Sequence, residues 1–295
     1  MKKAIWAGLS SILISTSAMA ANATCPVTTS AALKTALQTA ISNSGSQFGF
    51  GLNMWATVVA ADGRVCAVAN SSGDAIQGQW LASRVISAQK AFSAATLSLG
   101  AGKGNYALST ANLYTPAQPG GTLYGLQFSN PVAPANAYGD KINSAGANVG
   151  PTDTALYGTD KDPMVGQVIG GLNVFGGGLG LYASGAIKVG GVGVSGDTSC
   201  RDHVVAWNLR RALNYDYLGS TISGPAAGAP TNDTAHPDNI IFDVVFNNNN
   251  ALTSTANSVG PYTSASGWGH PTCMGIAADV AEAWVKNTSN LPAVR

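Results

Sequence analysis

Apolar residues recur at helical spacing in three places and form short paired runs in two others. Ala32, Leu33, Ala36, Leu37, Ala40 and Ile41 share one helical face, which predicts a helix from Ser30 that ends at Asn43 to Gly45. Residues 54–60 read as a strand, Asp62-Gly63 as a turn that tolerates positive φ, and residues 65–69 as the returning strand. Asp74 then caps a long pattern through Ile76, Trp80, Leu81, Val85, Ala88, Phe92, Ala95 and Leu99, stopped by Gly100, Gly102 and Gly104. A second hairpin follows at 178–183 and 186–194 around Ser184-Gly185. Thr198 or Asp197 caps the next helix, through Val204, Val205, Trp207, Leu209 and Leu213. Residues 240–246 read as a strand and 276–285 as a short closing helix.

Helix, hairpin, helix, hairpin, helix predicts an α+β fold, with helices packed on a mainly antiparallel sheet. Periodicity fades between about 100 and 178, where Gly, Pro, Asn, Thr and Tyr dominate. Tyr106, Tyr114, Tyr124, Phe128, Tyr138 and Tyr157 argue for an ordered, loop-rich insertion, since disordered segments are poor in aromatics. The tail from Tyr217 is polar and includes the Asn247–Asn250 tract.

Residues 1–20 carry the marks of an export signal. Lys2 and Lys3 precede an apolar run, and Ala18-Met19-Ala20 supplies the small-x-small cleavage pattern. The run is too short for a permanent anchor, which predicts a periplasmic or secreted protein with no membrane span after cleavage. The chain then divides into the signal, an α+β domain over 21–217 with the insertion inside it, and a C-terminal extension over 218–295. Loss of Lys2 and Lys3 leaves 13 of the 15 basic residues against 14 acidic ones. Near-neutral charge without basic clusters excludes nucleic-acid binding. Charged residues make up 10% of the chain, so Ser, Thr, Asn and Gly must carry solubility.

Cys25, Cys66, Cys200 and Cys273 allow three disulfide pairings in an exported protein. Cys25–Cys66 and Cys200–Cys273 are favoured, since each links neighbours within one half of the chain. No C-x-x-C spacing supports a metal site.

Gly193-Val194-Ser195-Gly196-Asp197 lies between strand and helix, like a nucleophile elbow. Asp197 stands where that motif needs glycine, and His203 and Asp202 occupy the same helix, so a capped turn is the stronger reading. The histidines are His203, His236 and His270. A Cys200–Cys273 bond would bring His270 and Trp268 beside His203 and Trp207 as one aromatic patch able to ligate iron. The competing reading is that these residues simply pack the tail onto the domain. His236, beside Pro237, reads as surface. Asp153, Asp160 and Asp162 lack calcium-loop spacing. Arg84, Lys90, Arg201, Arg210 and Arg211 are the helix-borne cations available to an anionic ligand, or else solvated or paired side chains.

Gly177-Gly178-Leu179-Gly180-Leu181-Tyr182, Ser184-Gly185-Ala186-Ile187, Gly190-Gly191-Val192-Gly193-Val194-Ser195-Gly196 and Asp202 resemble the GlcG/HbpS-like family. Its pattern is a Gly-Gly-Leu-Pro-Leu strand, a Gly turn, Val-Gly-Ala-Ile-Gly-Val-Ser-Gly and an acidic helix start. Val58-Val59, Asp62-Gly63 and Ser87-Ala88-Gln89-Lys90-Ala91 match its earlier half. The resemblance covers roughly 31–100 and 170–215. The long insertion, the tail, the cysteines and the export signal depart from the pattern. The resemblance implies a profilin-like fold, homo-oligomers, and haem binding, sensing or iron-linked degradation. Haem or another flat ligand would then sit against the second hairpin or at a subunit contact. Gly177, Gly178, Ser195, Gly196 and Trp207 are the candidate ligand contacts, and His203 and His270 the candidate iron ligands. The alternatives are an enzyme acting on a small organic molecule beneath the insertion, and a non-catalytic partner of a sensor protein.

Overall fold

The computed structural model describes residues 23–45, 49–142, 148–151, 153–246, 258–259, 262–273 and 291–295. The signal segment, the Asn tract and the expected closing helix at 276–285 lie outside them. The centre is one antiparallel sheet of β1 (Trp55–Ala60), β2 (Val65–Asn70), β3 (Gly178–Ala183) and β4 (Ile187–Ser195), in the order β2-β1-β4-β3. Two hairpins sit side by side, with β1 against β4 in the register Trp55 opposite Ser195 and Val59 opposite Gly191. Helices α1 (Ser30–Asn43) and α3 (Ser199–Ala212) cover one face, and α2 (Ser83–Leu97) covers the other. The fold is α+β, as the order of patterns predicts.

The period-two alternation of the strands divides the core into two layers. Ala56, Val58, Ala60, Leu179, Leu181, Val192 and Val194 pack with Leu33 and Leu37 of α1 and Val205 and Leu209 of α3. Trp55 and Val59 point the other way, onto Val85, Ala88, Ala91 and Ala95 of α2. On that second face β3 and β4 carry glycine. A Cβ at Gly193 would lie 2.0 Å from Ser87 O, one at Gly191 2.4 Å from Ala91 O, and one at Gly178 2.5 Å from Lys90 O. The glycine run therefore lets the backbone of α2 lie directly on the backbone of the sheet.

Two element boundaries differ from the sequence pattern. α2 begins at Ser83, because Asp74 caps only a local turn through the N–H groups of Ile76 and Gln77. Gly78, at φ +77°, then turns the chain and its carbonyl accepts from Asn53 N–H. Ile76, Trp80 and Leu81 are consequently exposed rather than part of the helix face. Of the 240–246 run, the strand takes in Val244–Phe246 and not 240–243; it pairs with Tyr262–Ser264. Ile240 and Ile241 are buried instead, with Ile240 in the core beside α3. Among the other elements, Thr198 caps α3 by accepting from Arg201 N–H, and Thr29 caps α1 through Ala32 N–H.

The described residues of the insertion pack along α2. Met164 and Ile169 join the α2 layer, and Leu113, Ala117 and Val174 form a small cluster of their own. Buried Arg84 holds Asp162 bidentately and donates to Ala137 O, with its guanidinium 3.8 Å from the Tyr157 ring. The tail is tied to α3 similarly, by Arg210 and Asp238 at 2.6 and 3.0 Å. Disulfides join Cys25 to Cys66 and Cys200 to Cys273, the pairs favoured by their order in the chain.

Candidate functional site

A cavity of about 310 Å³ opens where α2, the turn between β4 and α3, and residues 270–273 meet. Trp80, Ile86, Phe175 and Pro271 give it apolar walls. Trp80 and Phe175 are 49% and 48% exposed at its mouth, and Phe50 packs edge-on against Trp80 at 6.5 Å. Large aromatic side chains left half in water beside a cavity mark a surface built to be covered.

Polar groups line the same cavity. Lys90 Nζ donates to Asp202 Oδ2 at 2.7 Å and to Val194 O at 2.9 Å. Burial pulls Lys90 below the usual lysine range and pushes Asp202 up to about 6, against the attraction between them. Asp197 accepts from Phe50 and Leu52 N–H, fixing the loop that supports Trp80. Its own N–H donates to Asp202.

His270 lines this cavity and is 3% exposed. Its Nδ1 lies 2.7 Å from Pro271 O, which can only accept, so Nδ1 carries the proton. Nε2 is then a lone pair, and it has no partner among the described residues. Burial lowers the ring pKa to about 4, and nearby Lys90 adds to the effect, so the imidazole is neutral at pH 7. Tyr114 packs against it at 5.3 Å.

Of the candidate residues, Ser195 and His270 line the cavity. His203 does not. It is fully buried, its Nε2 accepts from Ile240 N–H at 3.2 Å, and burial followed by nearby Arg210 lowers its pKa to about 3. Asp202 is paired with Lys90, so no Ser195–His203–Asp202 triad assembles. Gly177, Gly178 and Gly196 are covered by protein, facing Val194 O, Lys90 O and Asn53 O respectively. Trp207 lies in the core, donating to Pro292 O and packed between His203 and His236. The expected patch is thus divided: His203 and Trp207 serve tail packing, and His270 serves the cavity. His236 is buried rather than on the surface, held by Asp233 and by Leu291 O.

One pairing escaped the sequence reading, and one convergence follows from the Cys200–Cys273 bond it favoured. Lys90 and Asp202 form one pair although 112 residues apart. Cys200, His270 and Cys273 also converge, with two sulfurs and one ring nitrogen within 4.8 Å of one another. The H-x-x-C spacing of His270 and Cys273 was the available signal for the second.

No family model matches the sequence, and no curated protein matches it. Solved structures similar to it include Klebsiella pneumoniae protein ORFY, described as DUF336, at 21% identity and TM-score 0.37, covering 63% of this chain and 92% of that one. A PduOC:heme complex matches at 21% and 0.37, covering 64% and 96%. A double mutant of Streptomyces reticuli HbpS matches at 17% and 0.38, covering 72% and 99%.

Proposed function

We propose that this protein is an exported haem-binding protein that offers His270 Nε2 as the axial ligand to iron. The observation that carries the reading is the bare Nε2 of a neutral, buried histidine in an apolar cavity. Haem iron takes such a nitrogen, and the bond from Nδ1–H to Pro271 O holds the tautomer and ring orientation that ligation requires. The disulfide-bonded cysteines are not free to compete. Bound haem would supply the iron chemistry of sensing or iron-linked degradation. The chain's own part is to orient His270 through Pro271 and to present Trp80 and Phe175 to the flat face. Lys90 and Asp202 satisfy each other, and Asp197, the other ionisable carboxylate of the lining, is held by the Phe50 and Leu52 N–H groups.

The size of the cavity favours a second reading. About 310 Å³ is at the low end of the ~300–1,000 Å³ range for ligand pockets, so a porphyrin would be only partly enclosed. A small organic molecule with an aromatic body and one hydrogen-bond donor aimed at Nε2 would fit the cavity better, as ligand or as substrate.

Absorbance titration of the purified mature protein with hemin separates the two. On the haem reading the Soret band shifts, the shift is lost in His270→Ala, and it persists in His203→Ala if that variant folds. No shift in the wild type, or an unchanged shift in His270→Ala, rejects the reading.

A further inference from the structure

We infer that Cys200, His270 and Cys273 form a redox-gated site for a soft divalent metal such as zinc, closed while the cysteines are joined and opened when a dithiol reductant cleaves them. The inference does not depend on haem binding. The two sulfurs and one ring nitrogen of His270 already lie within 4.8 Å of one another. Cys200 comes from the first turn of α3, and His270 and Cys273 come from one short segment at H-x-x-C spacing. A local two-ligand segment plus one ligand from a helix start is a common way to build a zinc site.

Three observations point to metal rather than to a plain structural bond. His270 Nε2 is buried and unpartnered, although an unmet buried acceptor is costly. Its other nitrogen donates to a backbone carbonyl, the usual outer partner of a metal-bound imidazole. Finally, Cys273 Sγ accepts Cys200 N–H at 3.1 Å at the start of a 14-residue helix, and Ser199 Oγ lies 3.5 Å away. Such a position favours the thiolate form.

The chemistry balances. A dithiol gives two electrons and two protons to the Cys200–Cys273 bond and leaves as its own disulfide. The metal then binds both sulfurs and displaces their two protons. Cleavage lets the sulfurs separate to about 3.8 Å, the edge of a tetrahedral site with ~2.3 Å Zn–S bonds. Three protein ligands leave a fourth position, and His270, Cys273 and Ser199 all line the cavity. The open position therefore faces the space a ligand would occupy. The second disulfide, Cys25–Cys66, has no histidine beside it in any such cluster among the described residues, and it serves as the control.

The test uses Co²⁺ as the probe. Mature protein is reduced, freed of reductant without oxygen, and titrated with Co²⁺ alongside the oxidised protein. The reduced wild type should develop thiolate-to-cobalt charge-transfer bands at one equivalent, and the oxidised protein none. His270→Gln should weaken binding by more than about 100-fold, because even outer partners of a ligand are worth about 10–100-fold. Cys200→Ser and Cys273→Ser should abolish the bands, whereas a Cys25→Ser/Cys66→Ser variant keeps them. Equal binding by oxidised protein, unchanged bands in Cys273→Ser, or no bands from reduced folded protein overturns the inference. If reduction unfolds the chain, circular dichroism of the reduced Cys25→Ser/Cys66→Ser variant with Zn²⁺ decides. Recovery of the fold with Zn²⁺ supports the site, and no recovery rejects it. Metal and hemin would compete for Nε2, so metal-loaded reduced protein should fail to shift hemin even if the oxidised protein does.

Discussion

Gly193→Ala tests what the glycine-rich strand is for. The added Cβ would lie 2.0 Å from Ser87 O, 2.5 Å from Ala91 N and 3.0 Å from Lys90 Cβ. The first two are backbone atoms of α2, so no side chain can rotate away. Relief requires α2 to lift from the sheet by more than about 1 Å, and a gap of that size forfeits a quarter to a half of each dispersion contact along the interface. α2 resists lifting, because Lys90 is bonded to Val194 O and Asp202 and because Arg84 is bonded to Asp162. Overpacking typically costs about 1–3 kcal/mol. A backbone clash at a clamped helix belongs at the upper end, about 3 kcal/mol. For a chain of this size that lowers Tm by roughly 6–12 °C, at about 2–4 °C per kcal/mol. Gly73→Ala is the control, since nothing lies within 4 Å of its Cβ, and it should change stability by less than about 0.5 kcal/mol. Both variants are measured by thermal and urea unfolding with the disulfides intact. If the glycines instead serve ligand approach, Gly193→Ala would keep its Tm and lose only ligand. A Tm within about 2 °C of the Gly73→Ala control would refute the packing argument.

Other outcomes follow from the same geometry. Asp162→Ala leaves the Arg84 guanidinium buried and unpaired, so it should cost about 3–5 kcal/mol in urea unfolding. Stability held by neutral His203 and His270 is complete above about pH 6.5 and is lost as pH falls toward their folded values of about 3 and about 4; Asp202, raised to about 6, acts oppositely between about pH 4 and 6. The net is one proton, about 1.4 kcal/mol per pH unit across pH 6 to 4, and urea midpoints should lose that slope in a folded His270→Gln variant. Cys25→Ser/Cys66→Ser opens a loop with sequence separation 41 and should cost about 4 kcal/mol on the chain-entropy view. Phe175→Ser, at a half-exposed position, should weaken ligand binding at least tenfold while moving Tm by less than about 3 °C.

The order of elements was legible because each carries its own period: both hairpins have a glycine turn between apolar runs, and three helices have clear faces. The disulfides were legible from chain order. The start of α2 was not, since the pattern through Ile76 and Trp80 continues past a turn that only Gly78 betrays. His236 was misread because its partners, Asp233 and Leu291 O, include one 55 residues away. The helix cations were open to two readings for a similar reason. Arg84, Lys90 and Arg210 are buried with Asp162, Asp202 and Asp238, and nothing local to a lone basic residue shows which distant carboxylate will meet it. The scarcity of charge was itself a hint. A chain that solubilises itself with Ser, Thr, Asn and Gly can keep its few charges for the interior.

Those interior pairs explain why the cavity lies where it does. α2 is fixed to the sheet by the glycine contacts, to the insertion by Arg84 and Asp162, and to the start of α3 by Lys90 and Asp202. The tail is fixed to α3 by Arg210 and Asp238. What remains is the gap where α2, the β4–α3 turn and residues 270–273 approach one another without a sheet or helix to fill it. Buried ion pairs are weak contributors to stability when set against apolar packing, but they specify which segments meet. Only one wall of the gap is closed by a bond that chemistry can reverse. His270 and Cys273 are carried on one short segment, His270 N–H is held by Ile241 O, and Cys273 is held by Cys200. Cleaving that bond leaves Lys90, Asp202 and the aromatic rim in place, and it frees only the side that carries His270. On the proposed reading, the Cys200–Cys273 bond, the disulfide that borders the cavity, thus governs the position of His270.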